Sequence, residues 1–145
     1  MAGFSNYTEL NVFQAIFKST TFPIPTGIRI ALFSSDPGDS GSAGELSGSG
    51  YARAARDPDP NLSTHTSWSS INQASAASLI SNATAVSFPT ATANWNGGSA
   101  IGFWGAFDTA GTPNFLLSGT ISGGVIVLNT NTLTFDPSNL QFTVD

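Results

Sequence analysis

Residues 100–128 read AIGFWGAFDTAGTPNFLLSGTISGGVIVL, and this stretch decides the fold class. Within it AIGFWGAFD (100–108), NFLLSGTI (114–121) and GVIVL (124–128) are short apolar runs, divided by Ala110-Gly111-Thr112-Pro113 and by Gly123-Gly124. Runs of this length between turn-forming residues predict strands with tight connections rather than helices. Phe103, Trp104 and Phe107 make both faces of the first run apolar, as a strand in the middle of a sandwich core requires. The same punctuation continues outward. AVSF (85–88), TANW (92–95), TLTF (132–135) and LQFTV (140–144) are further strand candidates, set apart by Pro89, Asn96-Gly97-Gly98, Asn129-Thr130-Asn131 and Asp136-Pro137. Upstream, GIRIALFS (27–34) alternates Ile28, Ile30 and Leu32 on one face with Arg29, Ala31 and Phe33 on the other, the period of a strand. Short strands at close spacing, with no helix between them, predict an antiparallel β-sandwich or flattened barrel.

One helix precedes this region. In SNYTELNVFQAIFK (5–18), Leu10, Phe13 and Phe17 follow i, i+3, i+7 spacing with Ile16 beside them. Asn6 followed by Glu9 reads as a capping box, placing the start near Asn6, and Ser19-Thr20-Thr21 with Pro23 and Pro25 ends the helix after Lys18. The apolar stripe is expected to pack against the domain or a neighbouring subunit, so that truncating Phe13 to Ala costs about 3 kcal/mol. DPGDSGSAGELSGSG (36–50) is an acidic surface loop, and YARAAR (51–56) can form a short strand before DPDPN interrupts it. The Ser-, Asn- and Ala-rich residues 61–82, with scattered Leu62, Trp68, Ile71, Leu79 and Ile80, show no period that assigns an element. The expectation is therefore one mainly β domain over residues 1–145, with a helix at 5–18, a β region at 27–145 and long loops at 36–50 and 57–83. No segment repeats at a fixed period, which argues against a propeller, a solenoid or a repetitive shaft.

Composition narrows function. Charged residues are 9% of the 145, while 20 Ser and 16 Thr supply a quarter of the chain, so solubility rests on hydroxyls and amides. With 4 Lys+Arg against 9 Asp+Glu the net charge is -5, which argues against a nucleic-acid partner. Eleven Phe and three Trp suffice for a core, and no apolar run approaches a membrane span or a secretory leader. The protein is expected to be soluble, without a membrane partner. The absence of Cys removes disulfides, thiolate metal sites and Cys nucleophiles.

Candidate chemistry is sparse. His65 is the single histidine, and no GxSxG elbow accompanies it. Asp36 with Asp39, or Asp57 with Asp59, can offer oxygen ligands to calcium, but Asp beside Pro and Gly more commonly builds a turn. Asp108 and Asp136 end predicted strands, and Trp68, Trp95 and Trp104 are candidates for stacking on sugar rings; an apolar core is the stronger reading of the aromatic strand. Phosphate-cradling motifs are absent. No catalysis, cofactor or metal is expected. The candidate interface comprises Asp36, Asp39 and Glu45 of the acidic loop, the Arg53 and Arg56 pair, and Phe13 and Phe17 of the helix.

SNYTELNVFQAIFKSTTFPIP, TGIRIALFSSDPGD, GELSGSGYARAA, VSFPTATANW, AIGFWGAFDTAGTPNFLLSGTI and TLTFDPSNLQFTVD, in that order, resemble a family of small tailed-bacteriophage virion proteins. Its members are often labelled tail-fibre or minor structural proteins. The resemblance spans nearly the whole chain and lies in pattern, not in a catalytic signature; residues 66–83 depart from it as a longer connection. It implies a virion part with no known active site. The leading expectation is a capsid decoration or cement protein, homotrimeric, bound to the major capsid protein on the outer surface of the head. The alternative is a tail fibre, baseplate or receptor-binding part that contacts other tail proteins or reads host glycans through its tryptophans. A small glycan-cleaving enzyme is the third class.

Overall fold

The computed structural model describes residues 3–55, 67–69, 71–73, 78–109 and 112–144. In chain order the elements are β1 (Gly3–Phe4), α1 (Asn6–Lys18), β2 (Ile28–Phe33), β3 (Ala54–Ala55), β4 (Asn72–Gln73), β5 (Ser78–Ser81), β6 (Val86–Thr90), β7 (Ile101–Asp108), β8 (Phe115–Val125), β9 (Thr132–Phe135) and β10 (Gln141–Val144). A five-stranded sheet runs β1-β8-β7-β2-β3, a three-stranded sheet β10-β5-β4, and β6 pairs with β9. Every pairing is antiparallel, and the sheets do not close into a barrel. The fold is mainly β with one helix near the N-terminus, as the strand punctuation predicts.

Side chains from all three sheets meet in one apolar cluster that includes Ile30, Leu32, Phe88, Ile101, Trp104, Phe135, Leu140 and Phe142. A smaller cluster of Ala31, Phe33, Phe107 and Phe115 covers the other face of the large sheet. The alternation read in GIRIALFS thus holds, but both of its faces are buried because Ile30 and Leu32 join the main cluster while Ala31 and Phe33 join the smaller one.

Four expectations about the strands need correction. The Gly123-Gly124 pair does not end a strand. Both glycines have positive φ, and between the pairs Phe103↔Thr120 and Ile101↔Val125 the register shifts, so they absorb surplus residues as an irregularity inside β8. Residues 126–128 lie beyond that strand. TANW is not a strand either: it runs into a 3-10 turn, Trp95–Gly98, in which Asn96 and Gly97 are left-handed. Pro89 lies inside β6, at a register shift on a two-stranded ribbon where its missing amide is tolerated. Finally, the supposed loop at 57–83 contains β4 and β5; SLIS has no alternating pattern and forms a strand by pairing with β10, from Gln141↔Ser81 to Val144↔Ser78.

The helix begins as predicted within one residue. Ser5, not Asn6, is the N-cap: its hydroxyl accepts from the Thr8 amide at 3.1 Å and donates to the Phe115 carbonyl. Thr8 Oγ1 donates to the Leu116 carbonyl at 2.7 Å, and the Ser5 amide donates to the same oxygen at 3.0 Å. The first turn is therefore fastened to β8 by polar contacts, and Ser19 in the left-handed conformation closes the far end. Thr8 is the one buried residue among the helix positions.

Candidate interaction surface

The sequence offered the acidic loop and two arginines as directional contacts, and the fold pairs two of those charges, Glu45 and Arg53, with each other. The Ser34 amide donates to the Gly44 carbonyl and the Leu46 amide to the Leu32 carbonyl, so the end of the loop folds back along β2. This places Glu45 beside Arg53, whose Nε and Nη2 each lie 2.7 Å from a different carboxylate oxygen. The Arg53 guanidinium also covers the Phe107 ring, 3.6 Å from its centroid. Charge-assisted hydrogen bonding to Glu45 pushes the Arg53 pKa further up. Glu45 and Arg53 are thus a bidentate intramolecular pair, each satisfying the other's charge within the subunit. Asp36 Oδ1 accepts from the Gly38 amide at 2.9 Å, which makes it a turn-former, while the Asp39 carbonyl accepts from the Asn6 amide at the helix start. Arg56, Asp57, Asp59 and His65 lie outside the described residues. Among the described residues no cluster of three or more His, Cys, Asp or Glu is placed to hold a metal ion.

Tyr51 stands behind this pair. Its hydroxyl accepts from the Leu32 amide at 2.9 Å, and its ring meets Trp95 edge-on at 5.4 Å. Burial, assisted by the Glu45 charge, pushes the phenol pKa well above its ordinary 10.0. A raised folded-state pKa gives a contribution that is complete below the unfolded value and is lost as the pH rises above it. Stability is expected to decline progressively above pH 10.0, the phenol's ordinary value, and Tyr51→Phe to show a shallower alkaline decline. At neutral pH the same variant, which strips the Leu32 amide of its acceptor, should lose about 1–2 kcal/mol. Urea denaturation across the pH range measures both effects.

The aromatic platform proposed for sugars is not assembled. Trp95 and Trp104 are 2% and 1% exposed and belong to the core, so neither ring can lie against a ligand. Trp95 Nε1 donates to the Ser49 carbonyl at 2.9 Å, and Trp104 faces Gly119 across the strand pair. Trp68 is half-buried, packed against the main cluster and bridged to Asn82. Asp108, the carboxylate weighed for glycoside cleavage, is buried and accepts from the Asn114 amide and Nδ2, both at 2.7 Å, which closes the β7–β8 hairpin.

The helix carries an exposed apolar stripe. Leu10, Phe13, Ile16 and Phe17 are all exposed, with the two phenylalanine rings 6.1 Å apart. The sequence identified the stripe correctly, but more than half of each of these side chains is exposed within the subunit, so the burial behind the roughly 3 kcal/mol expected for Phe13→Ala is largely missing there. Ile24, exposed between Pro23 and Pro25, was not singled out; its isolation between two prolines is the signal that no strand or helix would bury it.

Comparison with known proteins adds the context for such a surface. The family described as Podophage GP4 fiber I protein gp80 matches residues 3–143, from β1 to within one residue of the end of β10. The chain belongs to the gp80 fiber family. No curated protein shows a significant match. Membership makes the protein a bacteriophage virion structural protein, in accord with the resemblance read from its sequence. In this gp80 family member the β core is closed around its own aromatics, and the exposed large hydrophobics of the helix cluster on one element.

Proposed function

We propose that this gp80 family member is a structural part of the phage tail fibre, acting by shape-complementary contact and without catalysis. The observation that carries the reading is the family match over residues 3–143 to a protein described as a fiber component. The geometry agrees: the Trp95 and Trp104 rings are committed to the core and the Asp108 carboxylate to a hairpin, while Leu10, Phe13, Ile16 and Phe17 stand exposed on the helix. Decoration of the capsid rests on small size and lack of repeats, features that a compact fibre part shares. Its partners are other virion proteins; a chain of net charge -5 has little to offer a nucleic acid. Particles lacking the protein are the test. A fibre part predicts intact, stable heads that fail to adsorb to cells, whereas normal adsorption with heads that burst under osmotic shock would return the reading to capsid decoration.

A further inference from the structure

The 13-residue α1 sits at the length where an isolated helix is marginal, so an amphipathic face must be packed for it to persist. Its own domain holds the first turn by hydrogen bonds through Ser5 and Thr8 and leaves the apolar face open. Leu10, Phe13, Ile16 and Phe17 are 56%, 60%, 65% and 72% exposed. We propose that this face is the contact between copies of this chain, Leu10, Phe13, Ile16 and Phe17 packing against the same residues of a second copy around a closed rotation axis.

Three observations select a second copy as the occupant. The first is area: side chains of this size carry on the order of 200 Å² each, so the four leave on the order of 500 Å² open per copy. Two such faces together bury on the order of 1,000 Å², the level at which a contact becomes a specific interface. The second is spacing. Leu10, Phe13 and Phe17 step by three and then four residues, the a-d-a seam whose knobs fit the holes of a like helix. The third is charge: the helix carries only Glu9 in its first turn and Lys18 in its last, so the seam between them has no charge to select an unlike partner. This inference does not depend on whether the protein sits on the tail or the head, because it concerns only how copies join.

Sedimentation equilibrium of the full chain tests it. The wild-type protein is expected to run at an integral multiple of the 14.9 kDa subunit mass, and the double variant Phe13→Asp/Phe17→Asp as a monomer with an unchanged β-type circular dichroism spectrum. Phe13→Leu/Phe17→Leu should retain assembly. Because the chain has no cysteine, Phe17→Cys supplies a second readout, a covalent link at the seam. Mild oxidation should convert it to a covalent dimer, while Ser42→Cys in the exposed acidic loop should stay monomeric on a denaturing gel. A monomeric wild type, an assembly that survives the double Asp variant, or equal cross-linking at both positions would overturn the proposal.

Discussion

Replacing Asn82 by Asp is expected to destabilise the protein by about 3–5 kcal/mol at neutral pH, the cost of an uncompensated buried charge. Asn82 is fully buried, and its Nδ2 donates to the carbonyls of Thr84 and Asp136, both at 2.9 Å, while Oδ1 accepts from the Leu140 amide at 2.9 Å. Its backbone amide adds a bond to the Leu140 carbonyl, and its carbonyl accepts from the Ser138 amide. One side chain thus joins the residues after β5 to the turn between β9 and β10. A carboxylate there turns two donors into an acceptor facing two carbonyl oxygens, and burial adds to the penalty. The sign of the pH dependence follows. The introduced carboxyl would have a folded-state pKa above its unfolded one, so its deficit should be smallest in acid, where a protonated group can donate again, and should grow as the pH rises through the unfolded value. Denaturation midpoints between acid and neutral pH measure this, and a deficit independent of pH would contradict the assigned hydrogen bonds.

A second large loss is expected from Gly119→Ala, about 3 kcal/mol of overpacking. Gly119 pairs directly with Trp104, and a Cβ on Gly119 would lie 2.4 Å from the indole Nε1 and 2.6 Å from Cε2. That ring is 1% exposed within the main cluster, so it has nowhere to move. Trp104→Phe in the Gly119→Ala background removes the clash along with the indole, and its coupling in a double-mutant cycle should be favourable by about 1 kcal/mol or more. Independent, additive losses would show that the ring can shift out of the way.

These two residues also show where sequence reading ends. Trp104 could be assigned to a two-sided core strand because AIGFWGAFD is apolar on both faces, and β7 falls where that pattern places it. Gly119 could not be assigned, since its role depends on the cross-strand register, which no local pattern encodes. Asn82 sits in a polar, low-complexity stretch and acquires its importance from Asp136 and Leu140, more than fifty positions away. The candidate surface divides in the same way. The helix stripe was legible as a period, but whether it faces inward depends on where Ser5 and Thr8 fasten the first turn. Glu45 and Arg53 were legible as charge, yet their pairing follows from the loop folding back along β2. The sugar-stacking reading of Trp95 and Trp104 failed because tryptophan identity alone does not separate a platform from a core ring.

The central claim, that this virion protein belongs to the tail fibre, is tested most directly by its copy number in purified particles, measured by quantitative mass spectrometry against the major shell protein. A fibre component should be present in a small fixed number set by the rotational symmetry of the tail, on the order of ten or a few tens per particle. A ratio approaching that of the shell lattice itself, on the order of hundreds per particle, would contradict the account and make the protein a decoration of the head.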